Sequence, residues 1–186
     1  YKIMTLSELI QKAVTNYGDN DFIIDRELYR RKKHSYNDIF EQANSLCIFF
    51  KEKGIEKGDK IIIYLPNSSD YTSLLWACAL SGVIAVPVDF NSTNEFVRGI
   101  MNRVMGKLLI CSKYKSLQLK DKEVYIEDFD LGNNKIKEPI AVKEDDIVEI
   151  MFTSGTTSAP KGVVLTHKNI ISNVKSITKL IYFDNY

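Results

Sequence analysis

The sequence lacks several features that would place it in a specialised class of protein. Its 186 residues carry 25 Lys and Arg against 24 Asp and Glu, so neither sign of charge is in excess. A broad polyanion-binding face, such as a DNA-binding surface, is therefore not expected. The most apolar stretch, residues 74–88, is interrupted by polar residues, a glycine and a proline. It is too short for a membrane span, which needs ~20 apolar residues.

Cysteine is also scarce. Cys47, Cys78 and Cys111 are an odd number and lie far apart in the sequence. This spacing argues against a disulfide framework and against a zinc site, and it favours a reducing, cytoplasmic compartment. The chain begins at Tyr1 rather than at a methionine, and we expect it to be an excised fragment of a longer protein.

The composition is that of an ordinary soluble domain, and strand and helix patterns alternate along the chain. The chain is 45% hydrophobic, as soluble folded domains are. Lys60–Leu65 is a continuous apolar run, typical of a parallel strand covered on both faces. Thr5 and Glu8 form a capping-box pattern at a helix start, and residues 94–104 have a helical pattern. We also expect a strand over residues 146–152 and a last helix from Thr166 to about Phe183.

This alternation predicts the fold class. Strands joined to helices by short connections indicate an α/β fold, with a mostly parallel sheet and helices on both faces. Ligands of such sheets bind beyond the carboxyl ends of the strands. The segment that follows Phe152 lies at such an end.

That segment is the most informative in the chain. It reads Met151-Phe-Thr-Ser-Gly-Thr-Thr-Ser-Ala-Pro-Lys-Gly-Val163. It has several hydroxyl side chains and one cation, and it has no acidic side chain. Gly155 allows a sharp turn and a close approach of the backbone to a ligand. Backbone N–H groups, hydroxyls and a mobile ammonium are suitable for holding a polyphosphate.

Several known nucleotide and catalytic motifs are excluded. The segment does not fit the Walker A spacing, and the chain contains no G-x-G, no G-x-S-x-G and no H-E-x-x-H pattern. A polar surface loop rich in Ser and Thr would have the same composition. Composition alone does not separate that interpretation from a phosphate-binding loop.

A family resemblance favours the phosphate-binding loop over the polar surface loop. Residues 153–162, with the Val-Val-Leu-Thr-His-Lys-Asn that ends at Asn169, resemble the signature loop of the adenylate-forming superfamily. This superfamily includes acyl- and aryl-CoA synthetases, peptide-synthetase adenylation domains and luciferases. Three earlier segments resemble the family in the same order: residues 34–39, 58–67 and 79–88. The resemblance covers the whole chain, which would be the N-terminal subdomain (residues 1–186) of an AMP-binding domain and an incomplete part of that fold.

The resemblance implies a two-step ligase. A carboxylate would attack the α-phosphate of ATP to give an acyl-adenylate and pyrophosphate, and a thiol of coenzyme A or of a carrier protein would then take the acyl group. The residues expected to contact ATP are Thr153, Ser154, Gly155, Thr156, Thr157, Lys161 and Gly162. The adenosine site, the Mg²⁺ ligands and the catalytic lysine would lie downstream, so no catalytic or metal-binding residue is assigned here and the fragment alone is expected to be inactive. Acyl-CoA synthetases further imply a place in fatty acid metabolism.

Other interpretations remain open at this point. A peptide-synthetase-type adenylation domain is one alternative to an acyl-CoA synthetase, and a non-catalytic binding module is another. Ser158 stands where the family usually has glycine, which favours the second. The sequence does not identify the carboxylic acid. If segments that normally cover the last helix and the sheet edge are missing, exposed apolar area should cause self-association.

Three further groups of residues have simpler explanations. His167 lies just beyond the loop and could meet a ligand, but a capping or packing role is favoured. The basic run at residues 30–33 is typical of a solvated turn. The acidic run at residues 144–146 is expected to cap the approach to the following strand rather than bind a metal, since consecutive residues cannot all face one ion.

Overall fold

The computed structural model describes residues 4–27, 30–129, 140–153 and 160–180. Within these ranges the helices are α1 (Leu6–Tyr17), α2 (Tyr36–Glu52), α3 (Ser69–Ser81), α4 (Asn94–Val104) and α5 (His167–Leu180). The strands are β1 (Asp21–Glu27), β2 (Arg30–Ser35), β3 (Lys60–Tyr64), β4 (Ile84–Pro87), β5 (Leu108–Cys111), β6 (Glu123–Tyr125), β7 (Ile147–Thr153) and β8 (Lys161–Thr166). Three short 3₁₀ turns flank β6.

The strands form two sheets. β1 and β2 pair as an antiparallel hairpin, and the basic run at residues 30–33 lies in strand β2 rather than in the turn expected from the sequence. Residues 31–33 are exposed, as expected for a solvated run. The other six strands form one sheet in the order β6-β5-β3-β4-β7-β8. All neighbours in it are parallel except β7 and β8, which are antiparallel. The predicted α/β fold with a mostly parallel sheet is confirmed.

β3 lies in the middle of the sheet and is covered on both faces. Its residues Ile61, Ile62, Ile63 and Tyr64 have no solvent exposure. Ile61 and Ile63 face a core shared with residues of α1, α2 and α3, and Ile62 and Tyr64 face a second core shared with α4. The helices therefore cover both faces of the sheet, as the apolar run predicts.

Local sequence signals set the helix starts. The Thr5 hydroxyl accepts the Glu8 N–H at 3.2 Å, and the Glu8 carboxylate accepts the Thr5 N–H at 2.9 Å, which completes the predicted capping box. Ser35 and Asp38 form a second box at the start of α2. The predicted bounds of α4 agree with the structure. The predicted end of α5 near Phe183 falls outside the described residues.

One strand of the six-stranded sheet was not predicted. Residues 161–166 form β8, although the sequence pattern assigns no strand between the loop and the last helix. Pro160 and Gly162 both disfavour regular structure, so the short apolar run that follows them was not recognised as a strand. Pairing with β7 overrides these local preferences.

β8 lies at the end of the described sheet and exposes apolar side chains. Val163 and Val164 are 49% and 50% exposed, although consecutive strand residues point to opposite faces. On β7, Met151 is paired with Val163 and is also exposed. Val174 and Ile177 of α5 are exposed too. An apolar edge of this kind favours association with other chains.

We therefore expect the 186-residue chain to self-associate through β8. Light scattering coupled to gel filtration should show a mass that rises with protein concentration. Replacing both Val163 and Val164 by lysine should reduce the association, because charge on an edge strand opposes strand pairing.

Ile24→Lys is the matched control. Ile24 is also an exposed strand residue, but it lies on the β1–β2 hairpin, so its substitution should leave the mass unchanged. A wild-type chain that stays monomeric at every concentration would contradict the expectation.

Candidate functional site

The signature segment connects the two antiparallel strands β7 and β8. Thr153, the last residue of β7, is paired with Lys161, the first residue of β8. The hydroxyl-rich residues Ser154, Gly155, Thr156, Thr157 and Ser158 lie outside the described residues. The structure thus defines the two ends of the segment, which a backbone pair holds side by side.

The hairpin ends lie at the edge of the sheet where ligands are expected. The parallel strands β3, β4, β5 and β7 end at Tyr64, Pro87, Cys111 and Thr153. Because these strands run in the same direction, their carboxyl ends meet at one edge. Thr153 and Lys161 therefore both lie at the rim at which α/β sheets bind their ligands.

Lys161 is available to an anion. Its side chain is exposed and forms no ion pair with any other residue in the described ranges. Several other lysines are already paired, such as Lys57 with Asp146 at 2.6 Å and Lys107 with Asp59 at 2.7 Å. The ammonium of Lys161 can therefore approach a phosphate without first breaking an ion pair to another described side chain.

Gly162 has a packing role in the hairpin. It is paired with Phe152, and a Cβ atom at position 162 would lie 3.1 Å from two atoms of the Phe152 ring. The Phe152 side chain in turn packs against the core on the α4 face. The absence of a side chain at position 162 lets this ring lie across the hairpin.

Helix α4 lies close to the hairpin, which the sequence did not indicate. A cavity of about 520 Å³ is lined by Pro160 and by residues on and just before α4, including Thr93, Phe96 and Arg103. Pro160 immediately precedes Lys161. The described lining contains one cation, Arg103, and one acidic side chain, Glu95. The sheet order explains this contact, because β4, which precedes α4, is the neighbour of β7.

The loop after β4 is fixed to the neighbouring strand ends. The Tyr64 hydroxyl donates to the Ser92 carbonyl at 2.6 Å. The Lys115 ammonium lies 4.9 Å from the centre of the Phe90 ring and 5.6 Å from that of Tyr64. These contacts hold the residues before α4 in place, and they add a cation to the same edge of the sheet.

His167 packs in the interior, as favoured from the sequence. It has no solvent exposure, and its Nδ1 accepts the Leu6 N–H at 3.2 Å, which links the starts of α5 and α1. Its Nε2 has no hydrogen-bond partner among the described residues. Burial lowers the pKa of His167, and the charge of Asp146 opposes this effect.

Asp146, the last residue of the acidic run, has a structural role. Asp146 accepts the Lys143 N–H at 2.7 Å and pairs with Lys57, and the hydrogen bond from Lys57 is the main reason for the lowered pKa of Asp146. No group of His, Cys, Asp or Glu suited to a metal ion occurs in the described part of the chain. The three cysteines are buried free thiols.

A comparison with protein families agrees with these features. Residues 10–185 match the model of the AMP-binding enzyme family. The chain belongs to the AMP-binding enzyme family, which confirms the resemblance to adenylate-forming enzymes.

Relatives of known activity include CoA ligases. The chain is 29% identical to a crotonobetaine/carnitine–CoA ligase of Escherichia fergusonii, over 74% of this chain and 31% of that protein. It is 30% identical to the enzyme of the same name from Escherichia coli O127:H6, with the same coverage. The chain thus spans about a third of the length of these relatives.

Solved structures share the fold. A fatty acyl-adenylate ligase from L. pneumophila, in complex with acyl adenylate and pyrophosphate, superposes with a TM-score of 0.85 at 18% identity, over 94% of this chain and 32% of that one. The McyG adenylation–carrier protein complexed with phenylalanyl-adenylate superposes with a TM-score of 0.83 at 24% identity, over 97% of this chain and 31% of that one. At these identities the likeness establishes the fold.

The buried His167 makes stability depend on pH. Its pKa is lowered in the folded protein, so the unfolded chain binds a proton at a higher pH than the folded chain does. The free energy of unfolding should therefore fall as the pH drops below the ordinary histidine value of about 6.5. Urea denaturation at pH 7.5 and pH 5.5 measures this change.

His167→Asn is the control, because the asparagine carbonyl can accept the Leu6 N–H but does not titrate. This variant should lose less stability than the wild type between the two pH values. An equal loss in both proteins would show that other groups cause the pH dependence.

Proposed function

We propose that this chain supplies the phosphate-binding hairpin of an enzyme that joins a carboxylic acid to a thiol at the expense of ATP. In the first step the carboxylate attacks the α-phosphate, which forms an acyl-adenylate and releases pyrophosphate. In the second step a thiol of coenzyme A or of a carrier protein takes the acyl group and releases AMP. The chain would be the N-terminal subdomain of the AMP-binding domain.

One observation carries the proposal. The Thr153–Lys161 pair lies at the carboxyl edge of the parallel sheet, and Lys161 has no ion pair there with a described side chain. Membership of the AMP-binding family and the CoA ligase activity named for the relatives support the same reaction.

Phosphate binding would depend on the residues between and at the hairpin ends. Residues 153–157 would hold the β- and γ-phosphates through hydroxyl and backbone N–H groups. Lys161 would neutralise negative charge as pyrophosphate leaves, which is the main requirement of phosphoryl chemistry. No general base is needed, because carboxylates are already ionised at neutral pH.

The remaining components are assigned to other parts of the longer protein. Mg²⁺ would accompany ATP, and the proposal leaves its ligands, the adenosine site and the catalytic lysine to residues outside this chain. No helix in the described ranges is long and apolar enough to cross a membrane. The buried free thiols are consistent with the proposed cytoplasmic location.

A peptide-synthetase-type adenylation domain is the second candidate. The fold shared with the McyG adenylation–carrier protein favours it. The two candidates share the first step and differ in the thiol acceptor. Product analysis with coenzyme A present as the only thiol distinguishes them, because only the CoA ligase should release an acyl-CoA.

Removing the cation at position 161 should slow adenylation. In the complete reading frame that encodes this chain, Lys161→Ala should lower ATP–pyrophosphate exchange by about tenfold to a hundredfold, as loss of one preorganised electrostatic contact does. The exchange should be measured with a panel of carboxylic acids that includes carnitine and medium-chain fatty acids.

Lys175→Ala is the matched control, because Lys175 is an exposed lysine on α5. Its exchange rate should equal that of the wild type. A wild type without exchange on any acid would favour a non-catalytic binding module. A Lys161→Ala variant with the wild-type rate would contradict the role of Lys161.

A further inference from the structure

A second cavity contains the carboxylate of Glu149, on β7. It has a volume of about 450 Å³ and lies between the sheet and helices α1, α3 and α5. Its described lining is almost entirely apolar, with Leu6 and Leu75 as typical members, and Glu149 is the one carboxylic acid among those lining residues. Cavities of this size and character are typical of small-ligand sites.

Glu149 has no partner in the described ranges. Its carboxylate forms no hydrogen bond or ion pair there, and the lining residues that the structure describes include no lysine or arginine. Burial alone raises its pKa. A half-buried carboxylate without a counter-ion is poorly solvated in its ionised form. A positively charged group beside it would stabilise that form.

Three aromatic rings line the same cavity. Phe22 stacks on Tyr36 with ring centres 4.2 Å apart, and the Trp76 ring lies 5.2 Å from that of Phe22. Aromatic faces attract organic cations through their quadrupoles, and tryptophan does so most strongly. The apolar walls, the rings and the carboxylate thus favour the same class of ligand.

The cavity is separate from the phosphate-binding hairpin. Glu149 precedes Thr153 by four residues on β7, which is about 13 Å along an extended strand. The described residues at the end of that hairpin, Pro160, Lys161 and Gly162, do not line the cavity. A ligand at Glu149 would therefore lie apart from these hairpin residues.

We propose that this cavity binds a small organic cation, with its ammonium group at Glu149 and its apolar body against the aromatic rings. Charge complementarity favours a cation, because an ionised Glu149 is negative and an anion would meet no lysine or arginine among the described lining residues. The proposal does not depend on the reaction assigned to the hairpin.

Fluorescence offers a direct measurement, because Trp76 is the one tryptophan of the chain. The probes are 2-phenylethylammonium and its uncharged analogue 2-phenylethanol, titrated into the 186-residue chain at fixed ionic strength. The ammonium should change the Trp76 emission at a concentration about tenfold lower than the alcohol does, as expected for the added charge pair with Glu149. Calorimetry should give the same order of affinity.

Glu149→Gln tests the role of the carboxylate with little change in shape. This variant should bind the two probes with affinities within about threefold of each other, because the charge is gone but the apolar walls remain. Glu52→Gln is the matched control, because Glu52 is an exposed acid at the end of α2, and it should keep the wild-type preference. Circular dichroism verifies that both variants are folded.

Two results would overturn the proposal. One is the absence of any saturable change with 2-phenylethylammonium in the folded wild type. The other is an equal affinity for the ammonium and the alcohol, which would show an apolar cavity without a cation site. Neither result would bear on pyrophosphate exchange, so the two proposals can fail independently.

Discussion

The burial of β3 on both faces is the constraint on which the rest of the molecule depends. Four consecutive side chains, from Ile61 to Tyr64, are withdrawn completely from water. Each large apolar side chain buried in this way contributes about 1.5–3 kcal/mol. Such a strand needs a neighbour on each side and a layer of helices on each face. β4, β5 and the helices of the two cores meet these needs, and the parallel order brings the carboxyl ends of the strands to one edge.

The antiparallel hairpin after β7 places both ends of the connection at this edge, which a parallel connection would not do. If the strand after β7 were parallel, its first residue would lie at the opposite edge of the sheet. The antiparallel turn instead returns the chain at once, so that Lys161 lies beside Thr153. The change of direction thus keeps both described ends of the signature segment, Thr153 and Lys161, at the same rim. It also leaves β8 with exposed apolar side chains on both faces.

Local and non-local features differ in how well the sequence predicts them. The capping box at Thr5, the bounds of α4 and the buried strand β3 depend on short-range patterns, and these predictions are confirmed. β8 was missed because its stability comes from pairing with β7 rather than from its own residues. The contact between α4 and Pro160 depends on strand order, which joins segments about sixty residues apart in the sequence.

The candidate site shows the same division. The family resemblance indicated candidate residues for phosphate binding, but the packing of Gly162 on Phe152 depends on a register that only the folded hairpin defines. Glu149 lies in an otherwise apolar strand pattern, and nothing near it in the sequence indicates a cavity. That cavity forms from α1, α3 and α5, whose residues are distant in the chain.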